Sequence, residues 1–416
     1  MKKLLASLIF FQSLATCVQG QNTPRVGWDG HLFPSFLISN AAVKLDTEVS
    51  DETIIGDQTG EVGIEIISPS DNVAVKVVVR CDPFIETSEF TGTLPTEGVS
   101  YRINPKIRYR YDRLSACKQA TPATMTFSIQ IGDEPEVNES STFTMHAVND
   151  CPFKLVVGEE AFDISQTFAA YVNEQHPFTD KLLREALDRG IVPSFSGYQG
   201  DADQVLREVY AIWDLLVARD VRYCSITATA AQSSMVACQH VRLLEESINN
   251  SQTNCVDGSV LMVSLLRKIG INASLVLTSN HCYLVFTADS EGTQVYAIET
   301  TFTGVSVDEP ETVPLDLDQA VEEELRNVES WPSFVTALLV GAQRFEEDGQ
   351  KAQADATQEF LIIDIASARE VGILPIAFNG KEEFIPIGIE AGESNVDPKS
   401  NENEMDESDE DYSDEA

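Results

Sequence analysis

Basic residues are scarce in this chain. Lys and Arg number 28 against 67 Asp and Glu, and the formal net charge is −39 at pH 7. That deficit argues against nucleic acid and against an anionic membrane surface, since both need a basic footprint. A cationic partner or a saline medium is compatible with it, as is a surface made acidic for solubility alone. Long apolar runs are missing too. Beyond the first twenty residues none approaches the ~20 residues of a bilayer-crossing helix. C-x-x-C pairs are absent, which removes the usual anchor of structural zinc, so a set drawn from Cys224, Cys238, His240 and Cys255 is a poor zinc candidate. There is no P-loop, dinucleotide fingerprint, G-x-S-x-G elbow or H-E-x-x-H pair, hence no phosphate cradle, serine-hydrolase turn or zincin helix. No cofactor or metal is implied, and no internal repeat is visible.

What is present begins with an export signal. Met1-Lys-Lys precedes an apolar or small run from Leu4 to Ala15, and "VQG" stands before Gln21. A charged start, a short apolar centre and a small-residue exit describe a secretory signal peptide over 1–20. The expected location is secreted or periplasmic. Leu14-Ala-Thr-Cys17 also resembles a lipoprotein attachment box, but Thr16 stands where Gly or Ala is usual, so simple cleavage is preferred. At the other end, residues 393–416 hold eleven acids and one Lys. A segment with so little apolar content is expected to be disordered, and 391–416 is assigned as an acidic tail.

Cleavage removes Cys17 and leaves Cys81, Cys117, Cys151, Cys224, Cys238, Cys255 and Cys282. Disulfides are expected in an exported protein, and an odd number leaves at least one thiol without an intramolecular partner. From 25 to 152 the pattern has period two. Val73, Val75, Val77, Val79 and Cys81 share one face; Ile107, Tyr109 and Tyr111 oppose Arg108 and Arg110; "MTFSIQI" and "FTMHA" alternate likewise. Turn signals such as "SPSDN", "LPTEG" and "GDEPE" separate these runs, so an all-β sandwich-like domain is expected. A bridge among Cys81, Cys117 and Cys151 would lie within it, with the pairing open. Cys224 and Cys238 flank one loop that a second bridge would close.

After "NDCPF" the period becomes helical. Thr179 caps an expected helix "DKLLREALDR" ended by Gly190. "DADQVLREVYAIWDLLVARD" follows, with Val205, Leu206, Val209, Ile212, Trp213 and Leu216 at helical spacing. A third helix is expected from Val236 to Ile248. Then come a helix over 256–269, the strands "ASLVL", "HCYLVFTA" and "TQVYAIET", helical segments between Asp316 and Asp348, a buried strand "EFLIIDI", and a short helix with an exit strand in "ASAREVGILPI". This is an α+β layout over 153–390.

The stretch "NCVDGSVLMVSLLRKIGI" places Cys255 directly before the apolar stripe of a helix that Gly270 stops. At a helix N-terminus the macrodipole and free backbone N–H groups favour negative charge, and so a thiolate. Gly258 weakens the first turn by roughly 1 kcal/mol relative to Ala, which makes sense if backbone or substrate passes close by. A nucleophilic cysteine needs a base, and the base an orienting group. Of five histidines, His281 opens the strand "HCYLVFT", on the face opposite to Cys282. Glu299 ends the next strand and is placed to accept the second imidazole N–H.

These residues resemble a family. "NCVDGSVLMVSLLRKIGI…SLVL…NHCYLVF…VYAIETT" is similar to the transglutaminase-like superfamily, which shares the papain-like cysteine–histidine–acid arrangement. The likeness covers about 168–385 and leaves the β domain unmatched. "CQHVRLLEES" and "DIASAREVGILPI" resemble segments of bacterial members. Thr253 stands where the family has Gly, and Glu299 where Asp is more usual. The resemblance implies a papain-like α+β domain with Cys255 as nucleophile, His281 as general base and Glu299 as orienting acid. The chemistry implied is attack of sulfur on an amide carbon of a protein or peptide, then release of the acyl group to water or to another amine. The Cys255 N–H is the natural first oxyanion donor, with Gln239 as candidate for the second. The alternative is an inactive transglutaminase-like scaffold whose β domain engages a partner. Oligomeric state is not legible.

Overall fold

The computed structural model describes residues 22–43, 51–225, 233–355 and 359–387. The expected signal peptide with Cys17 and the acidic tail lie outside the described residues. The protein mixes helices and strands, and its N-terminal part is rich in strands.

That part runs β1 (Thr23–Val26), β2 (His31–Leu32), α1 (Pro34–Ser39), β3 (Ile54–Gly56), β4 (Val62–Ile67), β5 (Val73–Arg80), β6 (Ile85–Glu86), β7 (Ser88–Leu94), β8 (Ser100–Asn104), β9 (Arg108–Tyr109), α2 (Tyr111–Ser115), β10 (Thr121–Ile131) and β11 (Val137–Met145). A four-stranded sheet has the order β1-β4-β8-β3, and a five-stranded sheet the order β2-β11-β10-β5-β7. Alternation decides their faces. Val62, Ile64 and Ile66 of β4, Val75, Val77 and Val79 of β5, and Met125, Phe127 and Ile129 of β10 belong to one apolar cluster. Each such side chain contributes about 1.5–3 kcal/mol on burial. The alternating run expected at 107–111 is a strand only at Arg108–Tyr109, because the chain turns into α2 at Tyr111.

Strands β12 (Asp150–Val157) and β13 (Glu160–Asp163) lead to α3 (Pro177–Asp188), α4 (Ala202–Ala218) and β14 (Arg222–Tyr223). Helix α3 starts earlier than expected: Pro177 suits the first helical position, His176 Nδ1 accepts the Phe178 N–H at 3.0 Å, and the Thr179 hydroxyl donates back to the His176 carbonyl instead of capping. The third expected helix is corrected more deeply. Val236–His240 is a strand, β15, held antiparallel on β12 from Leu155↔Val236 to Asp150↔His240. Helix α5 (Leu244–Asn249) begins only where Glu246 accepts the Leu243 N–H at 2.9 Å.

The remainder holds β16 (Gln252–Thr253), α6 (Cys255–Lys268), β17 (Ala273–Thr278), β18 (Cys282–Thr287), β19 (Val295–Ile298), α7 (Leu315–Ala320), α8 (Trp331–Ala354), β20 (Phe360–Asp364) and α9 (Ile365–Glu370). The antiparallel sheet β19-β18-β17-β20 separates α6 from α8. Cys282, Leu284 and Phe286 join the large core with Leu261 and Leu265 of α6, whereas Tyr283 and Val285 pack with Ala297 and with Phe345 of α8. The strand expected to be buried, β20, lies at the sheet edge with Ile363 inside and Ile362 exposed. Past α9 the expected exit strand does not form; the Ile376 N–H bonds the Ala170 carbonyl and the Ile376 carbonyl accepts the Asn173 side-chain amide at 3.1 Å, without a strand ladder.

The expected bridges are absent. Every cysteine from Cys81 to Cys282 is unbridged. Cys81 and Cys151 are packed as small apolar groups, and Cys117 donates to the carbonyls of Gln119 and His146 at 3.4 and 3.3 Å.

Candidate active site

Helix α6 starts where it does because Asn254 and Asp257 cap each other. Asn254, in extended backbone, accepts the Val256 and Asp257 N–H groups at 2.8 Å each, and Asp257 accepts the Asn254 N–H at 3.0 Å. This is a capping box with Asn and Asp in the usual Ser and Glu roles. Asp257 is itself buried. Burial raises its pKa, and the Asn254 and Arg242 N–H groups and the Arg242 guanidinium, at 2.7 Å, offset that only in part. The result fixes Cys255 at the first helical position. Cys255 is half-buried, and among the described residues its N–H has no acceptor. An unused donor at a helix N-terminus is suited to a developing oxyanion.

His281 stands at the mouth of β18 and Glu299 just past β19. His281 Nε2 lies 2.6 Å from Glu299 Oε2. That leaves Nδ1 for sulfur. Burial disfavours the charged ring, but the neighbouring Cys255 and Glu299 outweigh burial and raise the pKa to about 9. The ring is therefore charged at neutral pH, the counter-ion a thiolate needs. Glu299 is fully buried, and burial alone would lift its pKa; bonds from His281 and Thr301 bring it below the usual carboxylate range. Its Oε1 accepts the Thr301 N–H and hydroxyl at 3.1 and 2.7 Å. The three residues singled out in the sequence thus converge.

Gln239 does not join them. It sits on β15, and its amide donates to the neighbouring His240 carbonyl at 2.9 Å. Tyr223 does approach: burial raises its pKa, and the neighbouring Cys255 and Glu299 raise it further. Its phenol stays protonated and half-exposed. The parallel pairing of β14 with β16, Tyr223 opposite Thr253, brings it there. The sequence cue was the short "RYC" after α4.

Two more residues were missed. Thr300 follows Glu299 and fills the space over Gly258, where an added β-carbon would meet the Thr300 hydroxyl at 2.9 Å. That answers why a glycine stands in the first turn. Arg344 of α8 places Nε 3.0 Å from Glu299 Oε2. It arrives because α8 packs tightly at Gly341, where a β-carbon would lie 2.3 Å from the Ala297 carbonyl oxygen. Gly341 and Arg344, one turn apart, were the legible signal.

The other cysteines differ from Cys255 in their surroundings. Burial pushes Cys81 up to about 11 and holds Cys151 and Cys282 well above the usual thiol range. Among the described residues no three His, Cys, Asp or Glu side chains converge on a point that would hold a metal ion. No described helix is long and apolar enough to cross a membrane.

Compared with protein-family models the chain matches none, and compared with curated proteins it matches none.

Proposed function

We propose that this protein is an exported cysteine enzyme acting on amide bonds of a protein or peptide, with Cys255 as nucleophile, His281 as acid–base and Glu299 as orienting acid. The finer fold proposed is a β-sandwich-like domain over 25–152 followed by a transglutaminase-like, papain-like domain over 153–390. The observation that carries the reading is the relay itself. A half-buried cysteine at a capped helix start lies close enough to an imidazole to raise its pKa, and that imidazole's Nε2 is held at 2.6 Å by a buried carboxylate.

The step follows from that relay. The Cys255 sulfur attacks the amide carbon, and the oxyanion takes the free Cys255 N–H. His281 gives its proton to the leaving amine, and the C–N bond breaks. Water then loses a proton to His281 and attacks the thioester, releasing the acid and restoring the sulfur. Hydrolysis is favoured in the proposal as the outcome that needs no second substrate.

Alkylation by iodoacetamide at pH 7, read by mass spectrometry, tests it. Cys255 should be labelled first, and His281→Ala should slow its labelling at least tenfold. Incubation with a mixed protein substrate should then give cleavage or deamidation that Cys255→Ala lacks. A Cys255 labelled no faster than Cys224 would leave the scaffold reading in its place.

A further inference from the structure

In the strand-rich part, a cavity of about 780 Å³ opens between the four-stranded sheet, β7 and α1, and shares no residue with the Cys255 site. That size suits a small ligand. Aromatic side chains from separate elements line it: Trp28, Phe36, Phe90 of β7, Tyr109 of β9 and Tyr111 of α2. Three acids line it as well, Asp57, Glu61 and Glu89, and Glu61 stands immediately before β4. Its carboxylate takes no hydrogen bond and no ion pair among the described residues; only the more distant charges of Arg102 and Asp57 act on it. Burial, opposed by Arg102 and aided by Asp57, raises Glu61 to about 7.

The other charged groups at the cavity are engaged or peripheral. Arg102 binds Glu65 at 3.4 Å, Asp57 closes its own turn on Thr59 at 3.1 and 2.9 Å, and Glu89 pairs with Lys76 at 3.1 Å. Lys106 is exposed at the rim, and the Tyr109 phenol, raised by burial and then by Glu61, stays neutral. A part-exposed carboxyl group that lines an aromatic-walled space, with no bond from the described residues, is open to a partner that arrives from outside.

We propose that this cavity binds an organic cation, an ammonium carried on an apolar body, with Glu61 as its counter-ion. Aromatic faces attract an ammonium through their ring quadrupoles, and the apolar walls cover the rest of the molecule. An anion would meet Glu61, Asp57 and Glu89 with the Arg102 guanidinium already held by Glu65. A neutral ligand offers the carboxylate at most a hydrogen bond, without an opposite charge. The site is independent of the Cys255 chemistry.

Isothermal titration of the full chain with phenethylamine, phenethyl alcohol and 3-phenylpropionate tests it. The amine should bind at least tenfold more tightly than the alcohol. Because only ionised Glu61 pairs with it, amine affinity should be about tenfold weaker at pH 6 than at pH 8, with a proton released on binding at the lower pH. Glu61→Gln should bring the amine to the alcohol's affinity, and Phe90→Trp, which fills the space, should block both; melting curves check that each variant folds. Cys255→Ala should bind the amine unchanged. Equal binding of amine and alcohol, preference for the carboxylate, or amine binding that survives Glu61→Gln overturns the proposal, and so does the absence of binding at millimolar amine.

Discussion

Arg344 and His281 bind the same oxygen of Glu299, at 3.0 and 2.6 Å. The guanidinium therefore draws on the same negative charge that keeps the ring protonated. Removing a nearby positive charge favours the protonated ring, so Arg344→Gln should raise the His281 pKa above its value of about 9. Arg344 is half-exposed, and solvent screening limits the effect to roughly half a unit. An NMR titration of the His281 ring checks the shift, and Arg344→Lys should restore most of it. A ring that titrates identically in all three proteins would show that the arginine is only a surface contact.

The raised His281 pKa also has a consequence for stability. A group whose folded pKa lies above its unfolded value adds stability that is complete below the unfolded pKa and is lost as pH rises through the folded one. Here those limits are the ordinary 6.5 and about 9. The difference in unfolding free energy between wild type and His281→Gln should be up to about 3 kcal/mol larger at pH 6 than at pH 10. Urea denaturation at the two pH values measures it. The same loss of the proton should set the alkaline limb of amide cleavage near pH 9, since His281 then has none to give the leaving amine.

Helix α6, the strand after it and the pairing of His281 with Glu299 were legible because local signals and the fold agree there. Asn254 caps, Gly270 at φ +84° stops, and period two runs through Cys282–Thr287. The failures have a physical pattern. Val236–His240 carries no helix or strand signal of its own that outweighs its partner, and β12, eighty residues earlier, decides its state. Gln239 was chosen for its sequence position, and the strand turns it to its own neighbour. Arg344 lies 45 residues from Glu299 and meets it only through the close packing at Gly341. Disulfides were inferred from cell compartment, while the side chains of Cys81 and Cys151 are used as core.

The cap is the least costly place to test how the nucleophile is held. Asn254→Ala leaves the Val256 and Asp257 N–H groups without their acceptor and should cost about 1–2 kcal/mol. The Asp257 carboxylate keeps its bonds to the residue-254 N–H and to Arg242 in that variant, so the helix should persist by circular dichroism. What should fall is the Cys255 alkylation rate, by several-fold, as the first turn frays. A rate equal to wild type would mean that Asp257 and Arg242 hold the turn without Asn254.

Gly258 and Thr300 form a second pair that can be separated by a double-mutant cycle. Replacing glycine by alanine inside a helix gains about 1 kcal/mol from propensity. Here the new β-carbon would sit 2.9 Å from the Thr300 hydroxyl and 3.1 Å from its β-carbon, and such overpacking costs typically 1–3 kcal/mol. Thr300 cannot simply retreat, because it is buried and its hydroxyl lies 3.4 Å from Ser259 and 3.5 Å from the Cys255 carbonyl oxygen. Gly258→Ala should therefore be net destabilising by about 1 kcal/mol and should slow Cys255 alkylation. Thr300→Ala removes the closest atom, so the double variant should be more stable than the sum of the single changes by about 1 kcal/mol. Strict additivity in urea unfolding would show that the two residues do not meet, and the close approach would then be no reason for glycine at this turn.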